Sequence, residues 1–264
     1  MLELKKSLGQ NLLIDKNIIK KIINQSEIKN KFIIEIGPGT GNLTKTIIER
    51  KPKNLLLIEK DKRLHKILKT KFKSMKNCEV VNNDILNYNF NSNLKEAVIF
   101  GNLPYNISTQ ILAKFIKLNK WPPFFEKIIF MFQKEVGDRI IAKPNTKNYS
   151  RISVLTNFRF EIIGSFKISQ NCFFPSPKVE SKIIVFKPKL KINTKIRKIE
   201  NLEKITHIFF SSKRKMINKA FSKIFKKHNE IAKLLNINLN KRPSELSFEE
   251  FYKITEKYEK VNNI

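Results

Sequence analysis

Cysteine, histidine, glycine and acidic residues are all scarce in this chain, and each shortage removes a class of explanation. Two cysteines, Cys78 and Cys172, cannot build a disulfide framework and lack metal-ligand spacing. The three histidines, His65, His207 and His228, are isolated from one another, so no metal centre is expected. No apolar run approaches the ~20 residues that span a bilayer. Met1-Leu2-Glu3-Leu4-Lys5-Lys6 has no signal-peptide pattern. With free thiols and no export signal, the expectation is a reducing cytoplasm and no membrane partner. Only 23 acids oppose 53 Lys and Arg, leaving a formal charge of +30 that reads as a polyanion binder. Part of that excess reflects codon bias, because only 8 of the 53 are Arg while the A/T-rich codons of Lys, Asn and Ile are abundant. Its distribution says more. Residues 187–264 carry 20 basic and 8 acidic side chains, a denser excess than the 33 and 15 of residues 1–186. Binding to a polyanion should then weaken steeply with salt.

Of the seven glycines, three fall in Gly37-Pro38-Gly39-Thr40-Gly41. This turn follows the apolar run Phe32 to Ile36 and precedes a helical stretch from Asn42 to Glu49. Strand, glycine-rich turn and helix form the first unit of a nucleotide-binding α/β fold. The spacing is G-x-G-x-G, not the G-x-G-x-x-G of pyrophosphate binders, and Pro38 stiffens it. That favours S-adenosylmethionine, which has no phosphate, over NAD. A second strand, Asn54 to Ile58, ends at Glu59, about 20 residues past the glycines, where a carboxylate accepts ribose hydroxyls; Lys60 follows it. A third strand, Glu79 to Asn82, exits into Asn83-Asp84-Ile85. Asp84 is placed to take an adenine amine and Ile85 to pack the ring. Either acid alone is an ordinary solvated loop charge; three consecutive strand ends carrying such groups are not.

A fourth strand, Ala97 to Phe100, leads to Asn102-Leu103-Pro104-Tyr105. This turn suits methylation of the exocyclic amine of adenine, a poor nucleophile whose lone pair is delocalised into the ring. The Asn102 side-chain oxygen and the Leu103 carbonyl can both accept its N–H bonds and favour the pyramidal, more nucleophilic nitrogen. Pro104 fixes φ and lacks an N–H, restricting how the preceding carbonyl points. Tyr105 offers a flat face for a base drawn out of its stack.

These motifs resemble those of the KsgA-type ribosomal RNA adenine dimethyltransferases, and the likeness runs nearly end to end. Lys5-Lys6-Ser7-Leu8-Gly9-Gln10-Asn11-Leu12-Leu13 is similar to the family's N-terminal signature, with Leu12 where Phe is usual. The resemblance implies that this segment folds over the cofactor, with Asn11 and Leu13 in contact. Glu35 to Gly41 matches the donor loop, and Gly101 to Ser108 the target-base loop. Phe173-Phe174-Pro175-Ser176-Pro177-Lys178-Val179 resembles the F-x-P-x-P-K-V segment, which implies that Phe173 faces the target adenine. Phe209-Phe210, Lys213-Arg214-Lys215, Asn218 and Arg242-Pro243-Ser244-Glu245 resemble the C-terminal elements, implying RNA contacts from Lys213, Arg214, Lys215 and Arg242. The basic element is usually richer in Arg, and Ser244 separates a Pro and Glu that the family keeps adjacent. The implied activity is dimethylation, from S-adenosylmethionine, of two adjacent adenosines near the 3′ end of 16S rRNA, within the small subunit or its precursor and late in its assembly. The implied enzyme is a monomer.

Periodicity supplies the organisation. A helix from Asp15 to Ser26 has Asp15 as N-cap. Strands Ala97 to Phe100 and Lys127 to Phe132 flank a helix from Ser108 to Leu118. Phe160 to Ser165 and Ser181 to Phe186 read as a closing antiparallel pair. The expectation is an α/β fold, a Rossmann-like class I methyltransferase sheet of seven strands in residues 1–187. A small all-α domain in 188–264 should hold four helices: Ile199 to Phe210, Lys213 to Phe225, Asn229 to Leu235 and Ser247 to Val261. Two other readings stand beside this one. A large-subunit rRNA adenine methyltransferase of the antibiotic-resistance type shares the fold and the Asn-x-Pro-aromatic turn. A ribosome-assembly or transcription factor could keep the fold without the chemistry, against which Gly37, Glu59, Asp84 and Asn102 all argue.

Overall fold

The computed structural model describes residues 11–91 and 93–263. They form two compact units, one running to Gly137 and resuming over Glu161–Pro188, the other made of Asp138–Phe160 and residues from Lys189 onward. The first unit contains β1 (Leu12–Leu13), α1 (Lys16–Ile23), β2 (Phe32–Ile36), α2 (Asn42–Glu49), β3 (Asn54–Glu59), α3 (Lys62–Lys71), β4 (Cys78–Asn82), β5 (Ala97–Asn102), α4 (Ser108–Ile116) and β6 (Phe125–Gln133). A helix α5 (Lys134–Ile140) ends its first stretch, and α6 (Arg151–Arg159) belongs to the other unit. The chain then returns through β7 (Phe160–Ile168), β8 (Phe173–Phe174) and β9 (Ser181–Pro188).

Seven strands form one sheet in the order β4-β3-β2-β5-β6-β9-β7. β4, β3, β2, β5 and β6 run parallel, and β9 pairs antiparallel with β6, Met131 opposite Ile183. Parallel strands buried on both faces read as near-continuous apolar runs, as β2, β3 and β5 do. β7, at the sheet edge, alternates instead, and Glu161 and Lys167 on it discourage edge-to-edge pairing. β2 sits between β3 and β5, so chain progression reverses there and a crevice opens at the carboxyl ends of the strands. α1 covers one face with buried Ile19, Ile22 and Ile23. Asp15 caps it, accepting from Asn17 N (2.8 Å) and Ile18 N (2.9 Å), an arrangement worth about 1 kcal/mol.

The second unit adds α7 (Ile199–Phe210), α8 (Asn218–Ile224), α9 (His228–Leu234) and α10 (Phe248–Val261) to α6. It is larger than the 188–264 expected, because Asp138–Phe160 belongs with it. α6 carries no amphipathic stripe for periodicity to mark, because Ser153, Val154, Leu155, Thr156 and Phe158 are all buried. Phe209 meets Phe221 and Phe251 edge to face, each at 5.7 Å. The capping box at the start of α10 has Ser247 Oγ accepting from Glu250 N (3.1 Å) and Ser247 N donating to the Glu250 carboxylate (2.7 Å). α8 starts at Asn218, not Lys213. Three longer-range bonds hold the preceding segment out of a helix: Ile217 N donates to Lys241 O at 2.8 Å, and Lys213 Nζ donates to the carbonyls of Lys147 and Tyr149.

Candidate active site

A cleft of about 160 Å³ opens at the carboxyl ends of β2, β3 and β5, entirely within the first unit. Asn11, Leu13, Gly37, Gly39, Glu59, Lys60, Asp84, Ile85, Asn102, Leu103, Pro104 and Tyr105 all line it. Parallel strands deliver them together, since every strand ends on the same side of the sheet. Gly37 and Gly39 have φ of +66° and +62°, where any side chain is strained. A Cβ on Gly39 would lie 2.9 Å from Leu12 Cδ2, the tip of a side chain that can swing aside, so it is the positive φ and not the space that calls for glycine here.

Glu59 is 6% exposed, its carboxylate accepting from Gly39 N (3.1 Å) and Asp61 N (2.8 Å). Burial raises its pKa, and the backbone donors work against that shift. Asp84 accepts from Lys60 Nζ at 2.7 Å and from Leu86 N at 2.9 Å. Burial acts to raise its pKa, but the Lys60 ammonium, the Leu86 N–H and Lys114 outweigh it and hold the carboxyl below its ordinary value. Lys114 Nζ also donates to the carbonyls of Leu86 (3.0 Å) and Tyr88 (2.7 Å), tying the loop after β4 to α4.

Asn102 stands at the end of β5 with Nδ2 donating to Asn11 O at 3.0 Å. A carbonyl can only accept, so this bond fixes which end of the amide is nitrogen. Oδ1 is left as an acceptor for a donor entering the cleft. Asn42 Nδ2 holds the next carbonyl but one, Leu13 O, at 2.9 Å. The β1 segment is thus fastened to both the glycine-rich side and the Asn102 side of the cleft. Tyr105 Oη and Ser181 Oγ share a hydrogen bond at 2.7 Å, and Ser108 Oγ donates to Tyr105 O, which fixes the ring at the mouth. The remainder of the N-terminal signature, Lys5 to Gln10, lies outside the described residues.

Phe173 departs from expectation. It is 3% exposed, paired with Leu13 in the two-residue ribbon β1-β8 and packed in the core with Leu43, Met131 and Ile183, and it is not among the cleft's lining. Neighbouring Phe174 is 63% exposed. In the second unit, Arg214, Lys215 and Arg242 are exposed. Lys213 is not available in the same way: its ammonium is bound to two backbone carbonyls, and burial lowers its pKa.

Sequence reading passed over Glu35 as a site residue, although a charged residue inside an apolar strand was the signal. Its carboxyl is 2% exposed, lines the cleft and accepts from Thr44 Oγ1 at 2.6 Å. Burial pushes its pKa up to about 8; the Thr44 hydrogen bond opposes the shift and the Glu59 charge adds to it. Between the unfolded value of about 4.5 and the folded value of about 8, the native state binds the extra proton. Stability therefore falls as pH rises through that window and is steady above it. Glu35→Gln keeps an acceptor for Thr44 and removes the titration. Melting curves from pH 5 to 8.5 should show wild type losing roughly 5–10 °C that the variant retains; parallel curves would refute the assignment.

The family model described as "Ribosomal RNA adenine dimethylase" matches residues 1–260. The chain belongs to the ribosomal RNA adenine dimethylases. It is 44% identical over 257 residues to the ribosomal RNA small subunit methyltransferase A of Pelagibacter ubique, covering 97% of each chain. The protein of that name from Ehrlichia canis is 39% identical over 257 residues, with 95% of each covered. Among solved structures, a dimethyladenosine transferase from Plasmodium falciparum superposes with a TM-score of 0.79 at 25% identity, covering 95% of this chain and 98% of that one. The 23S rRNA methyltransferase ErmE shares the fold, with a TM-score of 0.70 at 23% identity over 94% of this chain and 100% of its own. A ribosomal RNA adenine dimethylase must hold a methyl donor and an extruded base side by side, and the glycine-rich loop and the Asn102 turn share one cleft. No helix among the described residues is long and apolar enough to cross a membrane.

Proposed function

We propose that the chain dimethylates the exocyclic amines of two adjacent adenosines near the 3′ end of 16S rRNA, using S-adenosylmethionine. It acts as a monomer in the cytoplasm on the small subunit or its precursor, late in assembly. The observation that carries this reading is that Gly37, Glu59 and Asp84 line the same cleft as Asn102 and Tyr105. The residues fit the cofactor. Gly37 and Gly39 line the cleft in a positive-φ turn that other residues disfavour, Glu59 and Asp84 supply acceptors for hydroxyl and amine donors, and Ile85 supplies an apolar wall. When bound, S-adenosylmethionine brings a methyl group already activated by its sulfonium.

The protein's task is then alignment more than acid–base work. Asn102 Oδ1 and the Leu103 carbonyl accept from the target amine, Pro104 restrains the turn and Tyr105 stacks on the base. Asn11 and Leu13 close over the cofactor. Lys60, paired with Asp84, keeps that carboxylate ionised. Phe173 supports the ribbon from beneath. The exposed Arg214, Lys215 and Arg242 meet the RNA backbone, and Lys213 shapes the segment that presents Arg214 and Lys215. No general base is required if the cationic product loses its proton to water after transfer.

The deciding experiment incubates small subunits lacking the modification with the protein and S-adenosylmethionine, then analyses their nucleosides by mass spectrometry. Dimethyladenosine in the small-subunit RNA is the expected result. Methylation of naked large-subunit RNA instead would transfer the protein to the resistance type. No methylation of either RNA, with subunit binding intact, would leave a binding factor.

A further inference from the structure

The β1-β8 ribbon has two faces. Directly opposed residues on antiparallel strands project to the same side, so Leu13 with Phe173 forms one face and Leu12 with Phe174 the other. The first pair is buried, at 5% and 3%. On the second face, Leu12 bends over Gly39 and lines the cleft, while Phe174 stands 63% exposed immediately across from it. The loop that carries Phe174 is tied down. Gln170 Nε2 donates to Lys178 O at 2.9 Å, Ser176 Oγ donates to Gln170 O at 3.1 Å, and Ile14 N donates to Cys172 O at 2.8 Å. A rigidly presented aromatic ring therefore sits one side chain from the rim of the cleft. Lys16 and Lys178 are exposed in the segments flanking the ribbon, and Asp15, beside Lys16, is committed to capping α1.

We propose that Phe174 is a stacking platform for the nucleobase flanking the adenosine in the cleft. This rests on the reading above that two adjacent adenosines are modified in turn. While one occupies the cleft its neighbour has lost a stacking partner, and an exposed ring at the rim replaces that partner. Nearby ammonium groups suit the intervening phosphates. The ring acts on RNA alone, so the donor side of the cleft does not sense it.

Wild-type protein, Phe174→Ala and Phe174→Trp are compared on small subunits lacking the modification. Phe174→Ala should lose about 5- to 150-fold in kcat/KM for subunits, mainly through KM. Phe174→Trp should stay close to wild type, and S-adenosylmethionine affinity should be the same in all three. A p-benzoylphenylalanine at position 174, irradiated in the complex, should crosslink within a nucleotide or two of the modified adenosines. Unchanged kcat/KM in Phe174→Ala overturns the platform, as do crosslinks confined to ribosomal protein or to distant RNA. Wild-type activity is read first: its absence sinks the substrate assignment with the platform, whereas its presence with an indifferent Phe174→Ala sinks the platform alone.

Discussion

Asn102→Ala should lower turnover by roughly 10²- to 10³-fold, the usual cost of removing one pre-aligned hydrogen-bonding group from a reacting centre, while cofactor affinity falls far less, because Asn42 still holds Leu13 O when the Asn11 tether is lost. The reason lies in how the amide is held. Nδ2 is spent on the Asn11 carbonyl, so Oδ1 is the only end left to accept from the target nitrogen. That acceptor draws on an N–H of the amine and loosens the conjugation of its lone pair, an effect larger in the transition state than in the bound substrate. Loss should consequently fall on kcat, with KM for subunits nearly constant. Asn102→Asp separates alignment from mere hydrogen bonding. Its second oxygen would face the Asn11 carbonyl, two acceptors in opposition, so the β1 segment should loosen and turnover should again collapse. Single-turnover methylation of subunits with saturating S-adenosylmethionine measures both variants; undiminished turnover in Asn102→Ala would remove this residue from the chemistry.

Much of this site was legible because parallel strands state their function at one end. A buried run followed by Gly37, Glu59 or Asn102 tells both where a strand stops and what it carries, and the topology brings those ends together. The cap of α1 was legible for a similar reason: Asp15 acts within three residues of itself. Two of the misses turned on partners distant in sequence. Which of Phe173 and Phe174 faces inward is decided by register against Leu12 and Leu13, some 160 residues earlier in the chain. A ribbon two residues long has no alternation from which to read it. Lys213 looked like an RNA ligand, yet the carbonyls that hold it belong to Lys147 and Tyr149. α6, buried nearly all round, had no polar face to mark its period.

Glu59→Ala should weaken S-adenosylmethionine binding by about 10²-fold or more, the largest effect expected on the donor side. Two hydroxyl donors on a charged acceptor contribute about 1.5–3 kcal/mol each, and losing them together exceeds ~3 kcal/mol. The carboxylate does a second job, accepting from Gly39 N and Asp61 N, so its removal also frees the glycine-rich loop from β3. Glu59→Gln divides the two contributions. Its amide keeps one acceptor and turns one N–H toward another, so binding should be intermediate while the loop is still strained. Direction with pH follows from burial, which lifts this carboxyl above its ordinary value. The ionised form is the stronger acceptor, so wild-type affinity should fall as pH drops toward that raised pKa, and Glu59→Gln should lack this limb of the profile. Isothermal titration with S-adenosylmethionine between pH 5 and 8 reads affinity and profile together. A Glu59→Ala protein that melts like wild type and binds the cofactor as tightly would place the ribose elsewhere and undo the donor-side assignment.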